Sequence, residues 1–346
     1  MRIFQVITLS ELGGAQSVVI NLANELAKNN EVFVIAGGDG AMWDSLSDNI
    51  KKIKISQLKR SISPLDFIVW LKLLYYSIKY RPDIINLHSS KIGLLGRLAF
   101  PKSKTFYTVH GFDSIRVAYR QFLPLEKMLA RRAHIVAVSD YDAENIHKEG
   151  INRPVECIYN GIADVVESKD RCNTAELPGS KDSFKILCVA RLAAPKRFDI
   201  FVDTAKLLPK LSFYWIGNQQ PVDNLPENVY CLGQMPNAAL MNAKADLFML
   251  ASNFEGMPIS IIEALSCGKP VVASAVGSIP DVLKDGNGYA VDNTPEAFAE
   301  KIAMLAYDKD LYKKTATAAR ESYEKKYTLE IMTKHYISVY NKTTTK

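Results

Sequence analysis

The chain has 346 residues, 48% hydrophobic and 23% charged, a globular composition with length enough for two domains. Its net charge of +6 lies in the first half: residues 1–160 hold 21 Lys/Arg against 15 Asp/Glu, while residues 161–346 hold 22 of each. No basic stripe interleaved with aromatics accompanies this excess, which argues against nucleic acid and fits an anionic membrane surface or a diphosphate-bearing lipid better.

Met1 to Ile7 reads as a first strand, not as a secretory leader. Short apolar runs then alternate with amphipathic segments of roughly 10–15 residues. In the first half the strand-like runs are residues 2–8, 31–36, 84–88, 104–110 and 134–139. After residue 180 the pattern restarts, with runs at 184–190, 212–216, 229–232, 247–250 and 270–273. Near-continuous apolar strands between helices predict parallel sheets covered on both faces. Residues 66–80 read as a helix with a wide apolar face, which packs on a sheet or lays its aromatic edge on a membrane surface. The whole stretch from Leu65 to Tyr80 contains Asp66, Lys72 and Lys79, and is too short and too charged to span a bilayer. A polar, turn-forming break at 163–183 divides the chain into two doubly wound halves, 1–165 and 166–324. The end of the chain reads as helix. The cysteines, Cys157, Cys172, Cys188, Cys231 and Cys267, are odd in number and form no C-x-x-C pair, which predicts a reducing cytoplasmic compartment and no zinc site.

Chemistry-bearing motifs fall at the ends of the predicted strands. Gly13-Gly14 follows the first strand and opens a helix, so the backbone can approach a diphosphate there. The G-x-G-x-x-G spacing of nicotinamide-binding proteins is absent. His110 ends a strand, where parallel sheets face their ligand crevice, and His88 ends another. Arg191 and Lys196 are two cations five residues apart on a loop at a strand end. They suit the charge that develops on a leaving phosphate. In the run Ser252 to Ala264, Glu255 precedes a helix and Glu263 lies one to two turns inside it. The helix N-terminus between them favours an anion. A nucleotide-sugar fits: a carboxylate for hydroxyls at each end and a phosphate between. Two D-x-D matches, Asp140–Asp142 and Asp308–Asp310, are read as helix boundaries and not metal sites, Ser139 and Asp142 forming a capping box.

The run from Ser252 to Ala264, with Gly13-Gly14, His110-Gly111, Arg191 and Lys196 in this order, resembles the signature of retaining glycosyltransferases of family 4 (group 1), of the bacterial surface polysaccharide type. Asn160-Gly161, Trp215-Ile216-Gly217, Leu232-Gly233 and the loops at 275–281 and 285–289 agree with it. Two positions depart: Ala190 and Arg197 stand where the family usually has glycine, and Arg197 could reshape the loop or add a third cation. The resemblance implies an α/β, GT-B fold, two Rossmann-like domains facing each other across a cleft. The first would be completed by the C-terminal helix, about 325–346. It implies sugar transfer from a nucleotide diphosphate-sugar, most simply a UDP-sugar, to a hydroxyl of a lipid-linked glycan. Gly13, Gly14, Arg191 and Lys196 would hold the diphosphate. Gly217 and Gly233 would flank the base, and Glu263 the ribose. Glu255, with Gly256, Met257 and Pro258, would hold the sugar near His110. His88, Phe112 and Asp113 would line the acceptor side. No metal or other cofactor is implied. The expected setting is cytoplasmic, at the inner face of the membrane. Two other readings remain at this stage: a GT-B UDP-N-acetylglucosamine 2-epimerase, and a non-catalytic nucleotide-sugar- or glycan-binding relative.

Overall fold

The computed structural model describes residues 1–167, 176–180 and 182–344. Cys172, much of the polar break and Thr345 lie outside the described residues. Two compact units are present: Met1–Gly161 with Leu329–Lys346, and Ile162–Thr328.

The first unit holds strands β1 (Arg2–Leu9), β2 (Glu31–Gly37), β3 (Lys51–Lys54), β4 (Ile84–His88), β5 (Thr105–Val109), β6 (His134–Ala137) and β7 (Val155–Cys157). They form one seven-stranded sheet in the order β3-β2-β1-β4-β5-β6-β7, and every pair is parallel. Its helices are α1 (Gly14–Leu26), α2 (Leu65–Tyr80), α3 (Ser90–Ala99), α4 (Leu123–Leu129) and α5 (Asp140–Lys148). The second unit holds β8 (Lys185–Val189), β9 (Ser212–Ile216), β10 (Val229–Cys231), β11 (Leu247–Leu250), β12 (Val271–Ser274) and β13 (Gly288–Val291). These form a six-stranded parallel sheet in the order β10-β9-β8-β11-β12-β13. Its helices are α6 (Phe198–Leu207), α7 (Ile259–Ser266), α8 (Ile279–Val282), α9 (Pro295–Tyr307) and α10 (Lys309–Lys326); α11 (Leu329–Thr344) returns to the first unit.

The central strands are apolar because both faces are covered: Ile3, Phe4 and Val6 of β1 and all of β11 are buried. Three strands escaped the sequence reading, β3, β7 and β13. All three are sheet edges, short and partly exposed, and so lack an apolar run. On one face of the first sheet Phe4, Val6, Leu87 and Tyr107 pack with Val69 and Leu73 of α2 and Ile92 of α3. There Arg97 is buried: its guanidinium donates to both Glu126 oxygens at 2.7 Å and lies over the Tyr107 ring. Losing one partner of such a pair costs about 3–5 kcal/mol, since it strands a buried charge. On the other face α11 places Tyr336 and Tyr340 against the sheet. Asn86 donates from Nδ2 to the Tyr340 hydroxyl at 2.9 Å, and Thr108 donates to Asn86 Oδ1 at 2.9 Å.

The lysines of β3 are engaged locally. Lys51 pairs with Glu31, Lys54 pairs with Asp39, and Lys52 donates to the Trp43 carbonyl. Ser139 caps α5 by accepting from the Asp142 amide, and Asp308 caps α10 by accepting from two amides. No helix among the described residues is long and apolar enough to cross a membrane.

Candidate active site

In each sheet the strand order reverses once, between β1 and β4 and between β8 and β11. Loops leaving the carboxyl ends of the two strands diverge there and open a crevice, where doubly wound sheets bind ligands.

In the second unit the reversal brings together the loop after β8, residues 190–197, and the loop after β11, residues 251–258. The Arg197 amide donates to the Ala251 carbonyl at 3.0 Å, and the Asn253 amide to the Pro195 carbonyl at 2.9 Å. Lys196 forms an ion pair with Glu255, both side chains mostly shielded, at 18% and 11% exposure. The residue expected to hold the phosphate and the residue expected to hold the sugar are thus paired with each other. Arg191 is exposed and has no partner among the described residues. Arg197 is no spare cation; it is held by Asp199 at 2.6 Å.

Backbone close approaches fix these loops. Gly217, after β9, has φ +120°, and a Cβ there would lie 2.3 Å from the Ala190 carbonyl oxygen. Its amide donates to the Gly233 carbonyl at 2.8 Å, joining the two glycines expected beside the base. Gly277 has φ +58°, and its Cβ would sit 1.8 Å from the Glu255 carbonyl oxygen, so only glycine fits. Ser278 donates to the Gly256 carbonyl at 2.5 Å. Ser274 accepts from the Ser252 amide and donates to Asn293 Oδ1, each at 2.8 Å. Gly277, Ser278, Ser274 and Asn293 set the shape of the Glu255 loop. Gly277 and Ser278 lie in the loop at 275–281 that agrees with the family resemblance, while Ser274 and Asn293 carry no sequence signal of their own.

Met257 and Pro258 are buried at the start of α7, and Glu263 projects from its second turn. Burial raises the Glu263 carboxyl to about 7. The residue is partly buried, and its carboxyl has no hydrogen-bond partner among the described residues.

In the first unit the loop after β1 leads through Gly13 to α1. A Cβ on Gly14 would meet nothing within 4 Å, so open space lies before this helix start. His110 follows β5 and is half-buried; burial lowers its pKa to about 4, which leaves the ring neutral near pH 7. His88 differs from expectation. It has no exposed surface, its Nδ1 lies 2.9 Å from His110 Nε2, and its Nε2 lies 2.7 Å from Gln5 Oε1. Its neighbours occupy both ring nitrogens, so it cannot line an acceptor site. Phe112 is also enclosed, at 1% exposure, because its ring joins the core while its amide donates to Asp142 at 2.7 Å. Asp113 is held by Arg116 at 2.8 Å and the Tyr141 hydroxyl at 2.9 Å.

Comparison with known proteins agrees with this arrangement. Residues 12–164 match the family model described as Glycosyltransferase Family 4, and residues 183–308 the model described as Glycosyl transferases group 1. The chain is 27% identical over 328 residues to the O-antigen biosynthesis glycosyltransferase WbnH of Escherichia coli, covering 91% of this chain and 93% of that one. It is 27% identical over 350 residues to the E. coli UDP-Gal:alpha-D-GlcNAc-diphosphoundecaprenol alpha-1,3-galactosyltransferase, covering 90% and 89%. The Anabaena Alr3699/HepE structure in complex with UDP-glucose shares the fold, with a TM-score of 0.80 at 20% identity over 99% of this chain and all of that one. Two parallel Rossmann-like sheets, loops gathered at both strand-order reversals and matches spread along both units lead to one conclusion: the chain belongs to the family 4, group 1 glycosyltransferases and is a glycosyltransferase of the GT-B fold.

Proposed function

We propose that the enzyme transfers a sugar from a UDP-sugar to a hydroxyl of a lipid-linked glycan during assembly of a bacterial surface polysaccharide, with retention of configuration. One observation carries this reading: the strand-order reversal of the second sheet gathers a free Arg191, the Lys196–Glu255 pair and the loop that starts α7. Relatives that carry such names support the choice of donor and acceptor.

The chemistry follows from the charges. As the bond between sugar and diphosphate breaks, negative charge grows on the leaving phosphate, and Arg191 and Lys196 stabilise it. The phosphate competes with Glu255 for Lys196, which releases the Glu255 carboxylate to accept from the sugar's hydroxyls. The amides of Gly256 and Met257 assist. Glu263 accepts from the ribose hydroxyls, and those bonds favour its ionised form. Gly217 and Gly233 leave room for the base. By the family resemblance Gly13 and Gly14 are assigned to a diphosphate and His110 to a sugar. The leaving phosphate takes the acceptor's proton, so no protein base is assigned. No metal is needed where two cations and a helix N-terminus share the charge. We further propose that the protein works in the cytoplasm at the inner membrane face, touching anionic lipid through the exposed edge of α2.

The test is a panel of UDP-, GDP- and ADP-sugars with EDTA present, read by thermal protection and slow donor hydrolysis. A UDP-sugar should raise the melting temperature of the wild type, and Arg191→Ala or Glu263→Ala should abolish the rise. Protection by no donor, or equal protection in both variants, would overturn the assignment.

A further inference from the structure

Three strands contribute to a buried polar chain ending at His110. Gln5 lies on β1, His88 at the end of β4, and His110 just past β5. Ile7 is in register with His88, and His88 with Thr108, so these side chains share the sheet face that α11 covers. Gln5 and His88 are both 0% exposed. The chain runs from Gln5 Oε1 to His88 Nε2 over 2.7 Å, then from His88 Nδ1 to His110 Nε2 over 2.9 Å. The two imidazole centroids lie 5.2 Å apart with 30° between the ring planes, as an edge-to-edge hydrogen bond requires.

We infer that Gln5 and His88 are positioning residues that set which nitrogen of His110 carries its proton. An amide oxygen only accepts, so His88 Nε2 must hold the proton and donate. A neutral imidazole has one N–H, so His88 Nδ1 is bare and must accept from His110 Nε2–H. His110 Nδ1 is then unprotonated, a fixed acceptor for a substrate hydroxyl. Burial, with His110 beside it, holds His88 far below the ordinary histidine range, which keeps this ring neutral. Neutrality is what gives the chain a single polarity, because an imidazolium donates from both nitrogens. Asn86, Thr108 and the tyrosines of α11, hydrogen-bonded on the same face, are neutral too. The identity of the hydroxyl that meets Nδ1 rests on the proposed function; the tautomer does not.

The experiment is long-range ¹H–¹⁵N NMR of the histidine rings in the full-length protein without ligand, with His110 assigned by His110→Gln. The expected result is an Nε2–H tautomer for His110. In His88→Phe, which keeps a ring and removes both bonds, His110 should show a mixture of tautomers. With the donor found by the panel, kcat should fall about 10- to 100-fold, the scale of lost supporting bonds, while KM changes less than about threefold. Should His88→Phe fail to fold, Gln5→Leu serves, since it leaves the His88 ring and removes only its acceptor. An Nδ1–H tautomer in the wild type would overturn the inference, and so would an Nε2–H tautomer unchanged in the variants. An intact Nε2–H signal with no donor turned over would overturn the proposed function instead.

Discussion

Glu263 carries an energetic penalty along with its place in the site. Its folded carboxyl titrates near 7 because burial disfavours the charge, against 4.5 for the free group. Between those values the unfolded chain releases a proton that the folded chain retains. Stability therefore falls as pH rises from about 4.5 to 7, and stays lower above. Glu263→Gln should melt at least about 3 °C higher than wild type at pH 8 and match it at pH 4.5, on the usual scaling of melting temperature with stability. It should also weaken donor protection, as expected where a strained functional group is replaced. Scanning calorimetry at both pH values decides it; an equal difference at both would show that the carboxyl is not held protonated. At this scale the sequence singled out Arg191, Lys196, Glu255 and Glu263 as candidates. It did not show that Lys196 and Glu255 pair, because 59 residues separate them and only the neighbouring of β8 and β11 brings them together. His88 was misread for a related reason. A histidine at a strand end looks solvent-facing until the pairing of β1 with β4 places Gln5 against it.

Among the elements, α2 departs furthest from an ordinary sheet-covering helix. Val69 and Leu73 bury its inner face, while Phe67, Leu71, Tyr75 and Ile78 remain 45–73% exposed. For contact with an anionic membrane the lysines of β3 are already engaged, Lys51 with Glu31, Lys52 with the Trp43 carbonyl and Lys54 with Asp39. The apolar edge of α2 is the better candidate. Combining Phe67→Glu with Ile78→Glu should reduce binding to vesicles containing anionic lipid about tenfold or more, in a flotation assay. Undiminished binding would remove α2 from the argument. Element types were legible wherever strands were buried on both faces, since their apolar runs are continuous. The edge strands β3, β7 and β13 were not, since half-exposed strands follow no such pattern.

For the molecule as a whole, α11 is the element whose place depends on distance in sequence. It leaves the second unit at Thr328 and covers a face of the first. Tyr336 and Tyr340 are each 1% exposed or less, in contact with strands about 230–250 residues earlier. Tyr340→Ala should destabilise the first unit by about 3–5 kcal/mol. Hydrogen exchange should then quicken on β1, β4 and β5 and stay unchanged on β8, β9 and β11; slowing nowhere but quickening in both sheets would show that the helix supports more than its own unit. The sequence by itself determined the α/β class, the restart of the pattern after residue 180 and the loops that carry charge and glycine, because strand periodicity and turn chemistry are local. Only the tertiary structure decided that Gly277 must be glycine, that Lys196 is held by Glu255, and that Gln5 and His88 stand behind His110. Those relations arise from strand order and register, which no stretch of a single strand encodes.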